Sequence, residues 1–301
     1  MACGSSRDDV APAATPPDAV AAPLADRPIS EARDEPAPPV AADAASRGGE
    51  GAPTGEGPWV PGPDDVPPTH FEGREIAQTM SHLGAAWLNR SERDQEEDTT
   101  LLHRALGLEP GQTACDVGAG SGYHTVRMAR AVGPSGRVLA VDVQPEMLEL
   151  LRARVQEAGL HNVEAIEGRP GDPRLPAGAC DLVLLVDVYH ELAWPEPMLA
   201  ALRRALSREG RLALVEFRAE DPRVPIKRLH KMSKAQIERE LSPRGLTLAE
   251  SFDGLPWQHL MIYRRAEAPG SRSPGTEVPG AEVPGAKAPG AKAPGTQAPA
   301  G

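Results

Sequence analysis

Aromatic residues make up only 3% of this 301-residue chain. A core built without them has to rest on Leu, Val, Ile and Ala. Cysteine is scarcer still: Cys3, Cys115 and Cys180 suggest neither a disulfide framework nor the paired spacing of a zinc site. No stretch of 18 apolar residues occurs, so no helix is expected to cross a membrane. Positive charge is also short, with 32 Lys and Arg against 43 Asp and Glu, a formal charge of −11. Without a basic stripe to neutralise phosphates, no nucleic-acid partner is expected.

Proline and glycine are plentiful but uneven. Residues 1–69 hold 14 prolines, 70–265 hold 12 and 266–301 hold 7. Residues 1–69 also carry 12 acidic and 4 basic side chains. This Ala/Pro/acidic arm has no apolar period and is expected to be disordered, because it buries too little surface to offset its ordering entropy. From Pro269 to Pro299 a proline recurs every five residues, all but the last followed by Gly. Such a repeat favours turns in a flexible tail. Taken as written, the chain carries no export signal and is expected in the cytoplasm. Met1-Ala2-Cys3-Gly4 resembles a lipoprotein cleavage site, so a lipid-anchored form through Cys3 is the alternative if the true start lies upstream.

Residues 70–265 carry the fold. Residues 72–107 read as helical, with Ile76, Met80, Leu83, Trp87 and Leu88 at helical spacing. This makes 70–109 a helical cap on a core over 110–265. Strands are expected at Thr113–Val117, Arg137–Val143, Val163–Glu167, Asp181–Val188 and Arg211–Phe217. Helices alternate with them, through about Ala131, from Pro145 to Ala158 and over Glu196–Leu206. Alternation requires a parallel sheet with right-handed crossovers. Leu246–Phe252 and His259–Arg264 read as an antiparallel pair. The expected architecture is a three-layer, Rossmann-like α/β fold whose seven-stranded sheet is mostly parallel with an antiparallel last strand.

The chemistry concentrates in Asp116-Val117-Gly118-Ala119-Gly120-Ser121-Gly122-Tyr123, between a strand and a helix. Glycines there let the backbone turn sharply and approach a ligand, at the carboxyl end of a strand where doubly wound sheets bind theirs. Asp142 ends the next strand 20 residues after Gly122, placed to accept hydrogen bonds from ribose hydroxyls. The glycines fall as G-x-G-x-G, not the G-x-G-x-x-G of dinucleotide dehydrogenases. With Leu175-Pro176 before Asp181-Leu182-Val183 and a Gly-Arg-Leu strand start at 210–212, the pattern resembles the class I S-adenosylmethionine-dependent methyltransferases. It is most similar to their type 11 group, over about 110–217.

The resemblance implies S-adenosylmethionine as cofactor and transfer of its methyl to a small acceptor. It implies that Asp116, Gly118, Ala119, Gly120 and Gly122 face the cofactor's methionine part and that Asp142 holds the ribose. Gln144 and Met147 flank the adenine, and Val143, Asp172 and Asp187 complete the cofactor-binding set. Asp172 stands for the acid that family members carry soon after the third strand. On the acceptor side, Asp187-Val188-Tyr189-His190-Glu191 follows the fourth strand, where the family faces the transferable methyl. His190 is the candidate general base, with Tyr189 and Glu216 beside it. The blander alternatives are a histidine that holds a loop and a glutamate in a structural ion pair. The polar stretches 218–221 and 227–232 are read as a lid or a solvated face, and 87–93 as capping the pocket. No metal-ligand cluster is expected. Two other readings stay open: a protein that binds S-adenosylmethionine without turnover, and a nicotinamide-dependent oxidoreductase.

Overall fold

Seven strands form one sheet in a computed structural model whose described residues are 62 and 64–266. Cys3 and the Pro-Gly repeat lie outside the described residues. In chain order the elements are β1 (His70–Phe71), β2 (Arg74–Glu75), α1 (Ala85–Leu88), α2 (Arg93–Glu97), α3 (Thr99–Leu106), β3 (Thr113–Val117), α4 (Tyr123–Val132), β4 (Arg137–Asp142), α5 (Pro145–Glu157), β5 (Val163–Glu167), β6 (Cys180–Val186), α6 (Pro195–Ala205), β7 (Leu206–Phe217), α7 (Lys234–Leu241), β8 (Leu246–Phe252) and β9 (Gln258–Arg265). The sheet order is β5-β4-β3-β6-β7-β9-β8. Strands β3 to β7 run parallel, and β9 is antiparallel to both β7 and β8.

The apolar run of β6 is buried on both faces, as a central parallel strand requires. Alternate residues feed two cores. Val183 and Leu185 join Leu212, Leu214, Met261 and Tyr263 on one face. Leu182 and Leu184 join Ala213, Val215, Leu260 and Ile262 on the other, against Leu102, Leu106 and Met128 of α3 and α4. Pro145 opens α5 and Pro195 opens α6, where a missing N–H costs nothing. Among the described residues no helix is long and apolar enough to cross a membrane.

The structure corrects three expectations. Residues 72–107 are not one helical stretch. They begin with the β1–β2 hairpin, turned through Glu72 (φ 46°) and Gly73 (φ 87°), and continue as short helices broken at Asp98 (φ 45°). The apolar spacing misleads because Leu83 and Trp87 are exposed, so no single buried face organises a helix. The second correction concerns Cys115 and Cys180, which are joined in a disulfide between β3 and β6 with Cα atoms 5.9 Å apart. Strand neighbours can meet whatever their separation in sequence. The third, a cluster with metal-ligand chemistry, belongs to the site below. Helix α7, not anticipated above, is capped by the Ser233 hydroxyl accepting from the Gln236 amide.

Candidate functional site

The glycine-rich turn leaves the tip of β3 and enters α4. Gly118, Gly120 and Gly122 have φ of 74°, 52° and 82°, values that side chains with a Cβ rarely adopt. Gly118 also lies against the loop after β6: a Cβ there would meet Val188 Cγ2 at 2.4 Å. The turn is held from the next strand. Gly118 and Ala119 amides both donate to the Val141 carbonyl at 2.9 Å. The Gly120 amide donates to Asp142 Oδ2 at 2.8 Å, and the Gln144 amide to Asp142 Oδ1 at 2.9 Å. The turn therefore offers close approach and shape, with these amides already engaged.

Two carboxylates stand beneath the turn. Asp116 is buried and accepts from the Thr125 hydroxyl at 2.6 Å. Burial pushes its pKa up to about 6, with Thr125 opposing and Asp142 adding to the rise. Burial likewise raises the Asp142 pKa against its backbone hydrogen bonds. Met147 is buried near them in sequence, whereas Val143 is exposed. Gln144 accepts from the His82 amide at 2.8 Å and donates to the Met80 carbonyl at 2.9 Å, which ties the N-terminal segment to the tip of β4. Asp172 is buried in a turn, bonded to the Arg174 amide and bridged to Arg169.

At the tip of β6 the backbone reverses at Asp187 (φ 55°). Asp187 Oδ2 accepts from Gln258 Nε2 at 2.8 Å, while its Oδ1 has no hydrogen-bond partner among the described residues. Burial, with Glu97 and Glu216 adding, drives its pKa well above the carboxylate range. The 3-10 turn Tyr189–Glu191 follows. Glu216, buried at the end of β7, accepts from the Tyr189 amide at 2.9 Å and lies 2.6 Å from His190 Nδ1. His190 Nε2 faces His230 Nδ1 at 3.0 Å. Burial works against a charged His190, but Glu216, with Glu191 and Asp187 adding, outweighs it and the pKa rises. His230 is half-exposed, and burial lowers its pKa.

Tyr189 turns elsewhere. Its hydroxyl meets Glu240 Oε2 at 2.6 Å, and burial, with Glu240 nearby, pushes its pKa well up. Arg74 closes this group: Nε donates to Glu240 at 2.7 Å and NH1 to the His190 carbonyl at 2.8 Å. The structure thus brings together His190, Glu216 and His230, sets Glu191 beside them and gives Tyr189 a different partner.

Sequence reading missed Glu191 as a site residue, along with Gln258 and Arg74. Only Glu191, directly after His190, carried a usable signal. The third correction follows: ligand atoms of His190, Glu191 and His230 all lie within 4.8 Å of one another.

An open α/β sheet with a glycine turn and a strand-tip acid defines a Rossmann-like domain that binds a nucleoside cofactor. Residues 114–210 match the methyltransferase domain family. A protein-L-isoaspartate O-methyltransferase of Ignicoccus hospitalis is 33% identical over 99 residues, 33% of this chain and 46% of its own length. A demethylmenaquinone methyltransferase of Listeria welshimeri is 29% identical over 122 residues, 40% of this chain and 51% of its own. The fold matches a solved S-adenosylmethionine-dependent methyltransferase of Aquifex aeolicus at TM-score 0.58 and 24% identity, over 62% of this chain and 98% of that one. Residues 114–210 carry a methyltransferase domain, in the fold of that solved S-adenosylmethionine-dependent enzyme. Its matched stretch spans about half the length of those curated relatives.

The residues present fit that cofactor. A Cβ at Gly118 or Gly120 would intrude on Val188 or Leu88, and a buried carboxylate closes the neighbouring strand at Asp142.

Proposed function

We propose that residues 70–265 form a working methyltransferase that methylates an oxygen, nitrogen or sulfur nucleophile of a small acceptor. The observation that carries this reading is the contact between the glycine turn and the tip of β6. Gly118 packs directly on Val188, two residues before His190, so the cofactor loop and the His190–Glu216 pair share one end of the sheet. When bound, the cofactor supplies an electrophilic methyl on a sulfonium sulfur and leaves as S-adenosylhomocysteine.

The chain's own residues bind, orient and handle the proton. Asp142 offers a carboxylate to the ribose hydroxyls and Asp116 stands under the methionine end. Met147, Val143, Gln144 and Asp172 would hold the adenine, and Asp187 would face the methyl group. Alignment of acceptor, methyl and sulfur supplies most of the rate. Glu216 holds His190 Nδ1, which leaves Nε2 turned toward His230. The buried His190 reaches the cleft through the half-exposed His230, and the acceptor proton is drawn off along this pair. Tyr189 supports the turn through Glu240.

Calorimetric titration of the full chain with S-adenosylmethionine, S-adenosylhomocysteine and NAD tests the reading. Both sulfur compounds bind and NAD does not. Asp142→Ala weakens that binding roughly tenfold or more, as loss of about 1.5–3 kcal/mol of charge-assisted hydrogen bonding requires. Failure of the wild type to bind either sulfur compound overturns it.

A further inference from the structure

Glu191 has no place in a simple His190 base. Its side chain is largely withdrawn from water beside two imidazoles, yet among the described residues its one direct hydrogen bond runs from the Met80 amide at 3.3 Å. Glu216 and Asp187 stand nearby at the tips of β7 and β6. Among the described residues none of these three carboxylates forms an ion pair with a Lys or Arg. Buried carboxylates without a Lys or Arg partner are costly unless another cation compensates them; for Glu216 that partner is His190.

The donor set suits such a cation. One ring nitrogen from each of His190 and His230 and a Glu191 oxygen lie within 4.8 Å of one another, and His190 Nε2 faces His230 Nδ1. Two imidazoles and one carboxylate, with a coordination position left open, form the ligand set of catalytic zinc sites. The outer shell is present too. Glu216 holds His190 Nδ1 at 2.6 Å, the carboxylate–histidine arrangement that fixes the ring and presents its other nitrogen to a metal. Donors on a tetrahedral zinc ion stand roughly 3.3 Å apart at bond lengths of about 2.0–2.1 Å. The 3.0 Å gap between the two imidazole nitrogens needs only a few tenths of an ångström of opening. His230 lies in a short 3-10 turn of the polar connector.

We propose that His190, Glu191 and His230 bind one divalent cation, zinc by donor chemistry, whose open position takes the acceptor's heteroatom. The proposal rests on the methyltransferase reading for what occupies that open position, and it replaces the imidazole pair with the ion as the agent that removes the acceptor's proton. The acceptor X–H loses its proton to water on binding the ion. The resulting X lone pair forms the bond to the methyl carbon, the carbon–sulfur bond breaks, and its electron pair returns to sulfur.

The test uses the untagged full chain, stripped with a chelator and titrated with Zn²⁺ against a competing indicator dye. S-adenosylhomocysteine binding is measured on the same samples. One zinc binds per chain, and His230→Ala and Glu191→Gln each weaken it tenfold or more while keeping wild-type S-adenosylhomocysteine affinity. Glu216→Gln, which keeps the shape but weakens the outer shell, lowers zinc affinity about 10–100-fold. Co²⁺ in the zinc-binding chain gives the visible absorption of a four-coordinate ion, absent in His230→Ala. No stoichiometric zinc, or zinc binding that both variants retain, overturns the proposal even if S-adenosylhomocysteine binds. Zinc bound as expected, without any S-adenosylhomocysteine binding, instead overturns the methyltransferase reading and leaves the metal site standing.

Discussion

Asp116 destabilises the fold in which it sits, and replacing it with Asn should show by how much. Its carboxyl is buried on β3 beneath the glycine turn, where burial lifts its pKa from 3.8 to about 6. A folded state that holds this proton more tightly than the unfolded chain gains stability from it fully below the unfolded value. That contribution is lost as pH rises through the folded value. The gap is about two pKa units at about 1.4 kcal/mol each, so ionising Asp116 costs roughly 3 kcal/mol by pH 8.

Asn keeps the size and can still accept the Thr125 hydroxyl, which bonds Asp116 at 2.6 Å, but it never ionises. Its amide group needs an acceptor that Asp116 did not, an offset of about 1–2 kcal/mol that does not vary with pH. The diagnostic is therefore the slope. Urea unfolding followed by tryptophan fluorescence, from pH 4 to pH 8, should show Asp116→Asn gaining most of ~3 kcal/mol on the wild type as pH rises. In a domain of this size that corresponds to roughly 6–12 °C in Tm. A difference that stays flat with pH, or one that shrinks as pH rises, would refute the argument that a buried charge is held here against its solvation. The same variant is expected to bind S-adenosylhomocysteine more weakly, since a destabilising group at a ligand site is retained for its function.

Other consequences concern stability. Removing Arg74 leaves Glu240, which is fully buried, without its 2.7 Å ion pair; Arg74→Ala should cost about 3–5 kcal/mol in chemical denaturation, and a loss under 1 kcal/mol would show that the pair is dispensable. Gly118→Ala combines a φ of 74° with a Cβ 2.4 Å from Val188 Cγ2, for a loss of roughly 2 kcal/mol or more. Val188→Ala in the same chain should restore part of it, and a strictly additive double variant would contradict the clash. The Cys115–Cys180 bond closes a loop of 65 residues, worth about 4 kcal/mol in the chain-entropy account. Dithiothreitol should lower the unfolding midpoint of the wild type and leave a Cys115→Ala, Cys180→Ala double variant unmoved; equal response of both would remove the disulfide from the account.

Much of the core was legible because its signals are local. β3, β4 and β6 are short, mostly apolar runs bounded by Gly, Pro or Asp, and period and length separate such runs from the amphipathic helices between them. The N-terminal segment failed for the converse reason. Residues from Ile76 to Leu88 have a helical apolar rhythm but lie along the strand tips, where Ala77, Met80 and His82 donate to His190, Glu191 and Gln144. Tertiary hydrogen bonds outweighed propensity there.

By itself the sequence determined the alternating α/β order, the glycine turn after β3 and the acid at the tip of β4, because each depends on residues a few positions apart. It also placed His190 and Glu216 at strand ends. What only the tertiary structure decided is which of these groups meet. Cys115 and Cys180 are joined 65 positions apart, Arg74 reaches Glu240 across 166, and His190 meets His230 across 40. Such pairings follow from the order of strands in the sheet and the packing of its connections. Strand order is fixed by burying both faces at once, and no local pattern encodes it.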